Sequence, residues 1–154
     1  MGLEANEECS LAEDTQKDKY LTFRLAEEDY GIEIGDVIEI IGIQKITQLP
    51  DMPRFIKGVI NLRGQVIPVM DVRLRFGLPA RDYDERTCIV VVKIEEKTVG
   101  LVVDRVNEVV DIPESQVELP NSSTMALPEQ NVKGLGKIRE EIRILLDTEK
   151  ILAF

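Results

Sequence analysis

Residues 55–71 read FIKGVINLRGQVIPVMD, and this stretch predicts a β-hairpin. Apolar residues dominate both arms, and the pair Arg63-Gly64 between them supplies a glycine for the positive φ that tight turns need. Pro68 has no backbone N–H to donate, so we expect it at a sheet edge or at a β-bulge. Arg63 at the tip is expected to hold its guanidinium clear of the core, where it can meet carboxylates or carbonyls of another protein.

Strand patterns continue on both sides of this hairpin. Segments rich in Val, Ile, Phe and Tyr alternate with turn residues such as Glu28-Asp29 and Glu95-Glu96. Two short helices are expected over 71–77 and 147–152, each with Asp at its N-cap. The predicted strands are residues 20–25, 30–34, 39–43, 59–62, 66–70, 88–94 and 98–103.

The chain also contains an internal duplication. A shift of 69 places Gly31 on Gly100, and a shift of 76 then aligns the later residues of the two copies. Residues 20–76 and 89–152 are therefore interpreted as two copies of one unit of about five strands. The identical pairs are Glu27 with Glu96, Gly31 with Gly100, Val37 with Val106, Glu39 with Glu108, Lys57-Gly58 with Lys133-Gly134, Arg63 with Arg139 and Asp71 with Asp147.

A small antiparallel unit has to close or nearly close, because an open sheet leaves unpaired edges and one wet apolar face. The sequence thus predicts an all-β protein of two tandem five-stranded barrels with one or two short helices. We expect a flexible acidic leader over 1–18 and a folded part over 19–154. The first barrel is expected at about 19–80 and the second at about 86–154, with strand exchange between them left open. Residues 120–130 are predicted to form a long loop.

Composition narrows the function. The net charge of −10 repels phosphate backbones and anionic lipid, which argues against nucleic acid and membrane surfaces as partners. The 154 residues include no histidine, so the usual general base and the commonest transition-metal ligand are missing. Catalysis by carboxylates does not need histidine, so an acidic pair such as Asp104 with Glu108 is kept as an enzymatic alternative.

Localisation and redox state follow from the same composition. Apolar runs fall short of the ~20 residues that a membrane span needs, and the acidic start of the chain lacks a secretory pattern. Cys9 and Cys88 lie in such different settings that we expect two free thiols. The sequence predicts a cytoplasmic protein without membrane insertion.

Three blocks resemble one known family. YGIEIGDVIEI at 30–40, FIKGVINLRGQVIPVMDVRLRFG at 55–77 and VGLVVDRVNEVV at 99–110 are similar to the CheW-type chemotaxis coupling proteins, the CheW-like domain family. The resemblance covers nearly everything from Lys19 onward. It implies two five-stranded barrels that resemble SH3 domains and are related by pseudo-two-fold symmetry. It also implies a non-catalytic adaptor without cofactors.

The partners implied by the resemblance are two proteins. They are the cytoplasmic tip of methyl-accepting chemoreceptors and the regulatory domain of the histidine kinase CheA. That kinase domain has the same architecture, so one expected partner is shaped like this protein itself. The adaptor would be recruited to membrane receptor arrays through these partners. A regulatory-domain-like scaffold for another sensory kinase system is the alternative function.

Each residue that matches a partner-contacting position of the family also has a structural explanation. Two are valines that can belong to the core, and two are glycines that can serve a bulge or close packing. The acidic one is turned outward by strand alternation, where it is either a contact or a solubilising charge, and the arginine can be a solvated turn residue. The matched positions are Val37, Glu39, Gly58, Arg63, Gly100 and Val109.

The second repeat differs at its hairpin tip. It carries Arg139-Glu140 where the first repeat carries Arg63-Gly64. The turn chemistry therefore differs, and the second tip is not expected to bind the same surface.

Overall fold

A computed structural model describes residues 17–119 and 131–153, so the expected loop at 120–130 and nearly all of the expected leader lie outside the described residues. The described residues form eleven strands and two short helices. The strands are β1 (Lys19–Leu25), β2 (Glu28–Glu33), β3 (Val37–Gly42), β4 (Ile56–Leu62), β5 (Gln65–Asp71), β6 (Cys88–Ile94), β7 (Lys97–Val103), β8 (Arg105–Asp111), β9 (Val117–Glu118), β10 (Val132–Ile138) and β11 (Glu141–Leu146). The helices are α1 (Val72–Arg75) and α2 (Thr148–Ile151). Within the described ranges, no helix has the length and apolar character that crossing a membrane requires.

The strands form two sheets, and each sheet draws strands from both halves of the sequence. The six-stranded sheet has the order β8-β1-β2-β11-β10-β9, and the five-stranded sheet has the order β3-β6-β7-β5-β4. The β1–β2 hairpin therefore pairs with strands of the second half, and the β6–β7 hairpin pairs with strands of the first. The barrel limits of about 19–80 and about 86–154 stay a prediction.

The duplication governs the topology. The bounds of β1 and β6 differ by 69, and the bounds of β4 and β10 differ by 76. Replacing each strand by its counterpart in the other repeat converts β8-β1-β2-β11-β10 into β3-β6-β7-β5-β4. The parallel contacts correspond too, because Leu145 lies opposite Gly31 as Val69 lies opposite Gly100. The predicted all-β, pseudo-symmetric fold is confirmed.

Both predicted helix caps are present. The Asp71 side chain accepts a hydrogen bond from the Leu74 amide at 3.3 Å, and Asp147 accepts one from the Lys150 amide at 3.2 Å. Each cap satisfies one amide of a helix only four residues long, and so fixes where the strand before it ends.

The turn expected at Glu28-Asp29 is wrong. Both residues belong to β2, and the turn is formed by Ala26-Glu27, with Ala26 at a φ of 56°. A hairpin with two turn residues needs the left-handed backbone, and alanine gives no sequence signal for it. The tip residues Arg63-Gly64 and Arg139-Glu140 share a conformation, with φ values of 50° and 86° in the first turn and 50° and 70° in the second. The difference in residue type therefore leaves the turn backbone unchanged.

Pro68 occupies a position that tolerates a missing donor. It lies opposite Val59 of β4, and the pairing of β5 with β7 begins only at the next residue, Val69. At Pro68 the strand thus has a single ladder neighbour, although β5 is an interior strand of the sheet. The edge position expected from the sequence holds locally.

One hydrophobic cluster joins the two sheets. Phe23 and Ile32 of the six-stranded sheet pack in the same cluster as Met70, Val90 and Leu101 of the five-stranded sheet, all at most 1% exposed. A second cluster lies within the five-stranded sheet and a third within the six-stranded sheet. The shared cluster ties the sheets together, so their outer edge strands are left to form surface.

Candidate functional site

β3 forms an edge of the five-stranded sheet and presents apolar side chains to solvent. Ile38 and Ile40 are 52% and 43% exposed, whereas the Glu39 side chain is only 25% exposed. The expectation that alternation turns Glu39 to the more open side is wrong. A register shift between Val37 and Glu39 marks a bulge, and the extra residue there changes which side chains face outward.

The tip of the β4–β5 hairpin places Arg63 beside this edge. The Asn61 side-chain oxygen accepts a hydrogen bond from the Gly64 amide at 2.8 Å and so stabilises the turn. The Arg63 side chain is 71% exposed, and its Nη2 donates to Oε1 of Glu39. The structure thus brings two of the predicted site residues together. An exposed ion pair contributes at most about 1 kcal/mol to stability.

Two other predicted site residues, Gly58 and Gly100, are buried. Gly58 has a φ of 144°, and a Cβ there would lie 2.0 Å from the carbonyl oxygen of Thr47. A Cβ on Gly100 would lie 2.7 Å from Cγ2 of Ile89. Both positions therefore require glycine for close packing. Because both glycines are buried, they can affect the surface only by shaping the backbone.

The two predicted valines lie apart from each other. Val37 begins β3 opposite Val92, is half-buried and packs against the shared core cluster. Val109 lies on β8, the edge strand of the six-stranded sheet, and is 49% exposed. Its counterpart in the first repeat is Ile40, at a shift of 69, which is also exposed.

Sequence reasoning missed three exposed apolar residues near the Glu39–Arg63 pair: Ile38, Ile40 and Val66, the last 66% exposed on β5. The duplication could have identified Ile40, because Ile40 is the counterpart of Val109, which is one of the predicted site residues. Ile38 and Val66 carried no such signal, since both sit in apolar runs where burial is the ordinary expectation. We call Ile38, Glu39, Ile40, Arg63 and Val66 the β3 edge surface.

The corresponding place in the second repeat is open. Glu108 and Arg139 are the counterparts of Glu39 and Arg63, and they line a cavity of about 380 Å³ together with Val110, Ile138 and Arg143. Within residues 17–119 and 131–153, no ion pair joins Glu108 to Arg139. The two tips thus share a backbone conformation but present different surfaces.

The acidic pair considered for catalysis is not arranged for proton transfer. Asp104 accepts two hydrogen bonds from Arg73, each at 2.7 Å, one from the Ala26 amide at 2.8 Å and one from Arg81 at 3.3 Å. Burial raises the pKa of Asp104, but these hydrogen bonds and the guanidinium charges outweigh burial and leave the pKa below its usual value. The carboxylate stays ionised with its acceptor positions filled, while Glu108 lies exposed on β8.

Asp104 instead has a structural role. It lies between β7 of the five-stranded sheet and β8 of the six-stranded sheet, and it holds the β1–β2 turn and the residue Arg73 of α1 at once. The Arg73 guanidinium also donates to the Pro79 carbonyl at 2.9 Å. The ion pair of Asp104 with Arg73 therefore stabilises the connection between the two sheets.

Two interlocked sheets that expose apolar and charged residues at their edge strands define the chain as a protein-interaction module. The sequence signature of the CheW-like domain family matches residues 19–154, and the chain belongs to that family. It is 38% identical over 143 residues to chemotaxis protein CheW of Klebsiella aerogenes, covering 93% of this chain and 86% of that protein. It is 32% identical over 143 residues to chemotaxis protein CheW of Thermotoga maritima, covering 93% of both.

A solved relative shares the fold. The crystal structure of scaffolding protein TtCheW from Thermoanaerobacter tengcongensis superimposes with a TM-score of 0.82 at 36% sequence identity, covering 89% of this chain and 93% of that one. Family membership makes the chain a non-catalytic adaptor of chemotaxis signalling. The predictions of family, fold class and absence of catalysis are confirmed.

Proposed function

We propose that the chain joins the cytoplasmic tip of a methyl-accepting chemoreceptor to the regulatory domain of the histidine kinase CheA, and that these partners recruit it to membrane receptor arrays. The observation that carries the proposal is the β3 edge surface, where Ile38 and Ile40 flank a charged pair at an open sheet edge. Such an adaptor changes kinase activity by holding two proteins in a fixed geometry.

The chemistry of the β3 edge surface suits a protein partner. Its isoleucines supply apolar area, which provides most of the affinity in a contact of about 800 Å² per partner. A guanidinium has five N–H donors, and Arg63 donates one of them to Glu39. The remaining donors can meet a carboxylate or carbonyl of the partner, so Arg63 sets the register and the specificity of the contact.

A second edge gives the adaptor a second place to bind. β8 is the counterpart of β3 and forms an edge of the other sheet, where Val109 is exposed. Because the two edges belong to different sheets, each can hold its own partner. We assign Glu39, Arg63 and Val109 to partner binding at the two edges. Val37, half-buried against the shared core cluster, and the buried Gly58 and Gly100 are assigned to supporting these edges through the fold.

The test is a matched pair of substitutions at the hairpin tips. Arg63→Asn removes the guanidinium, and asparagine tolerates the positive φ of 50° better than alanine does. Arg139→Asn makes the same chemical change at the same φ in the second repeat. We expect Arg63→Asn to lower receptor-coupled kinase activity about tenfold, the equivalent of one lost charge-assisted contact of about 1.4 kcal/mol. Arg139→Asn should stay within about twofold of the unchanged protein.

Reconstituted assemblies of receptor, kinase and this chain provide the measurement. Sedimentation of the assembly and thermal unfolding of each variant show whether a loss of activity comes from lost binding or from lost fold. Unchanged activation by Arg63→Asn in a normally formed assembly would contradict the role given to Arg63. An equal loss in both variants would show that any tip arginine serves, which also contradicts it.

A further inference from the structure

The connection between β3 and β4 has a charge opposite to that of the chain. Residues 43–57, which are the connection and the first two residues of β4, are here called the basic loop. They contain Lys45, Arg54 and Lys57 against a single acid, Asp51, in a protein of net charge −10. In the described part of the chain, none of these three cations forms an ion pair. Their charge is thus available to an external anionic group.

The basic loop also exposes apolar side chains on a fixed backbone. Leu49 and Met52 are 42% and 40% exposed. Thr47 exchanges two backbone hydrogen bonds with Val59 of β4, at 2.8 and 2.9 Å, and the Ile56 amide donates to the Pro53 carbonyl at 2.9 Å. A loop held in this way loses little conformational entropy on binding, so it is preorganised for a ligand that brings both acidic and apolar groups.

One segment with that chemistry is part of the same chain. Residues 1–16 carry five acidic residues and no Lys or Arg, and they include Leu3 and Leu11 as apolar anchors. Sixteen residues extend to roughly 50 Å, whereas a folded part of this size has a radius of gyration of about 14 Å. The segment can therefore reach the basic loop from Lys17.

We propose that residues 1–16 of the acidic leader dock on the basic loop, with their carboxylates near Lys45 and Arg54 and their leucines against Leu49 and Met52. The contact combines opposite charge with apolar burial, so it weakens in salt without vanishing. Docking does not depend on the identity of the receptor or the kinase, so its failure and a failure of the proposed function are separate results.

Cys9 allows a direct test. A nitroxide on Cys9, in a chain with Cys88→Ala so that only one thiol reacts, is expected to broaden the amide signals of residues 44–57 selectively in the full-length protein. Lys45→Glu with Arg54→Glu should abolish that broadening. Lys93→Glu, which reverses an exposed cation on β6, is the matched control and should preserve it. About 1 M NaCl, where the screening length is about 3 Å, should reduce the broadening.

Two further samples complete the test. Mixing isotope-labelled chain with unlabelled, spin-labelled chain distinguishes a leader that docks on its own molecule from one that docks on a second copy. Docking within one molecule supports the proposal, and docking only between molecules overturns it. If the double substitution impairs folding, changing the five leader acids to their amides tests the same contact from the other side. Broadening that is absent from residues 44–57, spread evenly over the surface, or insensitive to both sets of substitutions overturns the proposal.

Discussion

Gly58→Ala tests whether close packing of the backbone requires glycine at this position. The added Cβ would lie 2.0 Å from the Thr47 carbonyl oxygen and 2.7 Å from the Thr47 carbonyl carbon, at a φ of 144° that side chains disfavour. The colliding atoms are backbone, so they cannot move aside as a flexible side chain would. The paired hydrogen bonds between Thr47 and Val59 must lengthen or break.

The magnitude of the expected loss of stability follows from three terms. A non-glycine residue in a sparsely populated φ region costs about 1–3 kcal/mol, and overpacking costs about 1–3 kcal/mol more. Alanine also reduces the conformational entropy of the unfolded chain, and this stabilises the folded state by up to about 1 kcal/mol. The free energy of unfolding should fall by about 1–6 kcal/mol, and a value in the middle of this range lowers the Tm by roughly 10 °C in a protein of this size.

Gly64→Ala is the matched control. Gly64 also has a positive φ, 86°, but a Cβ there meets nothing within 4 Å, so the overpacking term is absent and only the backbone term of about 1–3 kcal/mol applies. Urea denaturation of both variants measures the difference directly. If Gly58→Ala were no more destabilising than Gly64→Ala, the close approach of Thr47 would not explain the glycine.

Three further substitutions test the interior and the second hairpin tip. Asp104→Asn should lower the free energy of unfolding by about 2–4 kcal/mol at pH 7, because Arg73 loses its ionised partner. The pKa of Asp104 is lowered in the fold, so its stabilisation is present above the ordinary carboxyl pKa and lost as the pH falls; urea denaturation should show the gap between the variants narrowing below about pH 4. Tyr83→Phe should cost about 1–3 kcal/mol in the same assay, because the buried Asp71 carboxylate loses a hydrogen bond of 2.7 Å; an unchanged midpoint would refute this. Glu140→Gly should raise the Tm by about 2 °C in calorimetry, because it relieves a φ of 70°, and a lower Tm would contradict it.

Much of the fold could be predicted because the sequence contains two copies of the same unit. Aligning the two copies relates β1 to β6, β4 to β10 and α1 to α2, and each pair has the same length in the structure. The aspartates at the ends of β5 and β11 repeat as well, and both cap a helix. A weak strand or helix pattern that appears at the same place in both copies is stronger evidence for that element than a pattern that appears once.

The orientation of the β3 side chains could not be predicted. A bulge adds one residue to a strand and reverses the alternation beyond it, and no residue type marks the bulge between Val37 and Glu39. The ion pair of Glu39 with Arg63 likewise depends on a hairpin tip folding back on a strand more than twenty residues away. Such contacts follow from the tertiary arrangement, which local patterns do not encode.

The difference in burial among the predicted site residues also depends on the tertiary structure. Gly58 and Gly100 matched the family in sequence as well as Arg63 did, yet only Arg63 reaches the surface. Close approach of a distant carbonyl to Gly58, or of the Ile89 methyl to Gly100, appears only when the strands are in place. The resemblance to the family thus points to these positions, and the structure shows which of them are buried and which are exposed.

A chemical-shift map of the isotope-labelled chain tests most directly whether the two sheet edges bind proteins. The chain would be titrated separately with a receptor tip and with the kinase regulatory domain. We predict that the amide shifts cluster on β3 with residues 61–66, or on β8 around Val109, and that the two partners together perturb both edges. Saturating shifts confined to surfaces away from β3, the β4–β5 tip and β8, or no shifts with either partner, would contradict it.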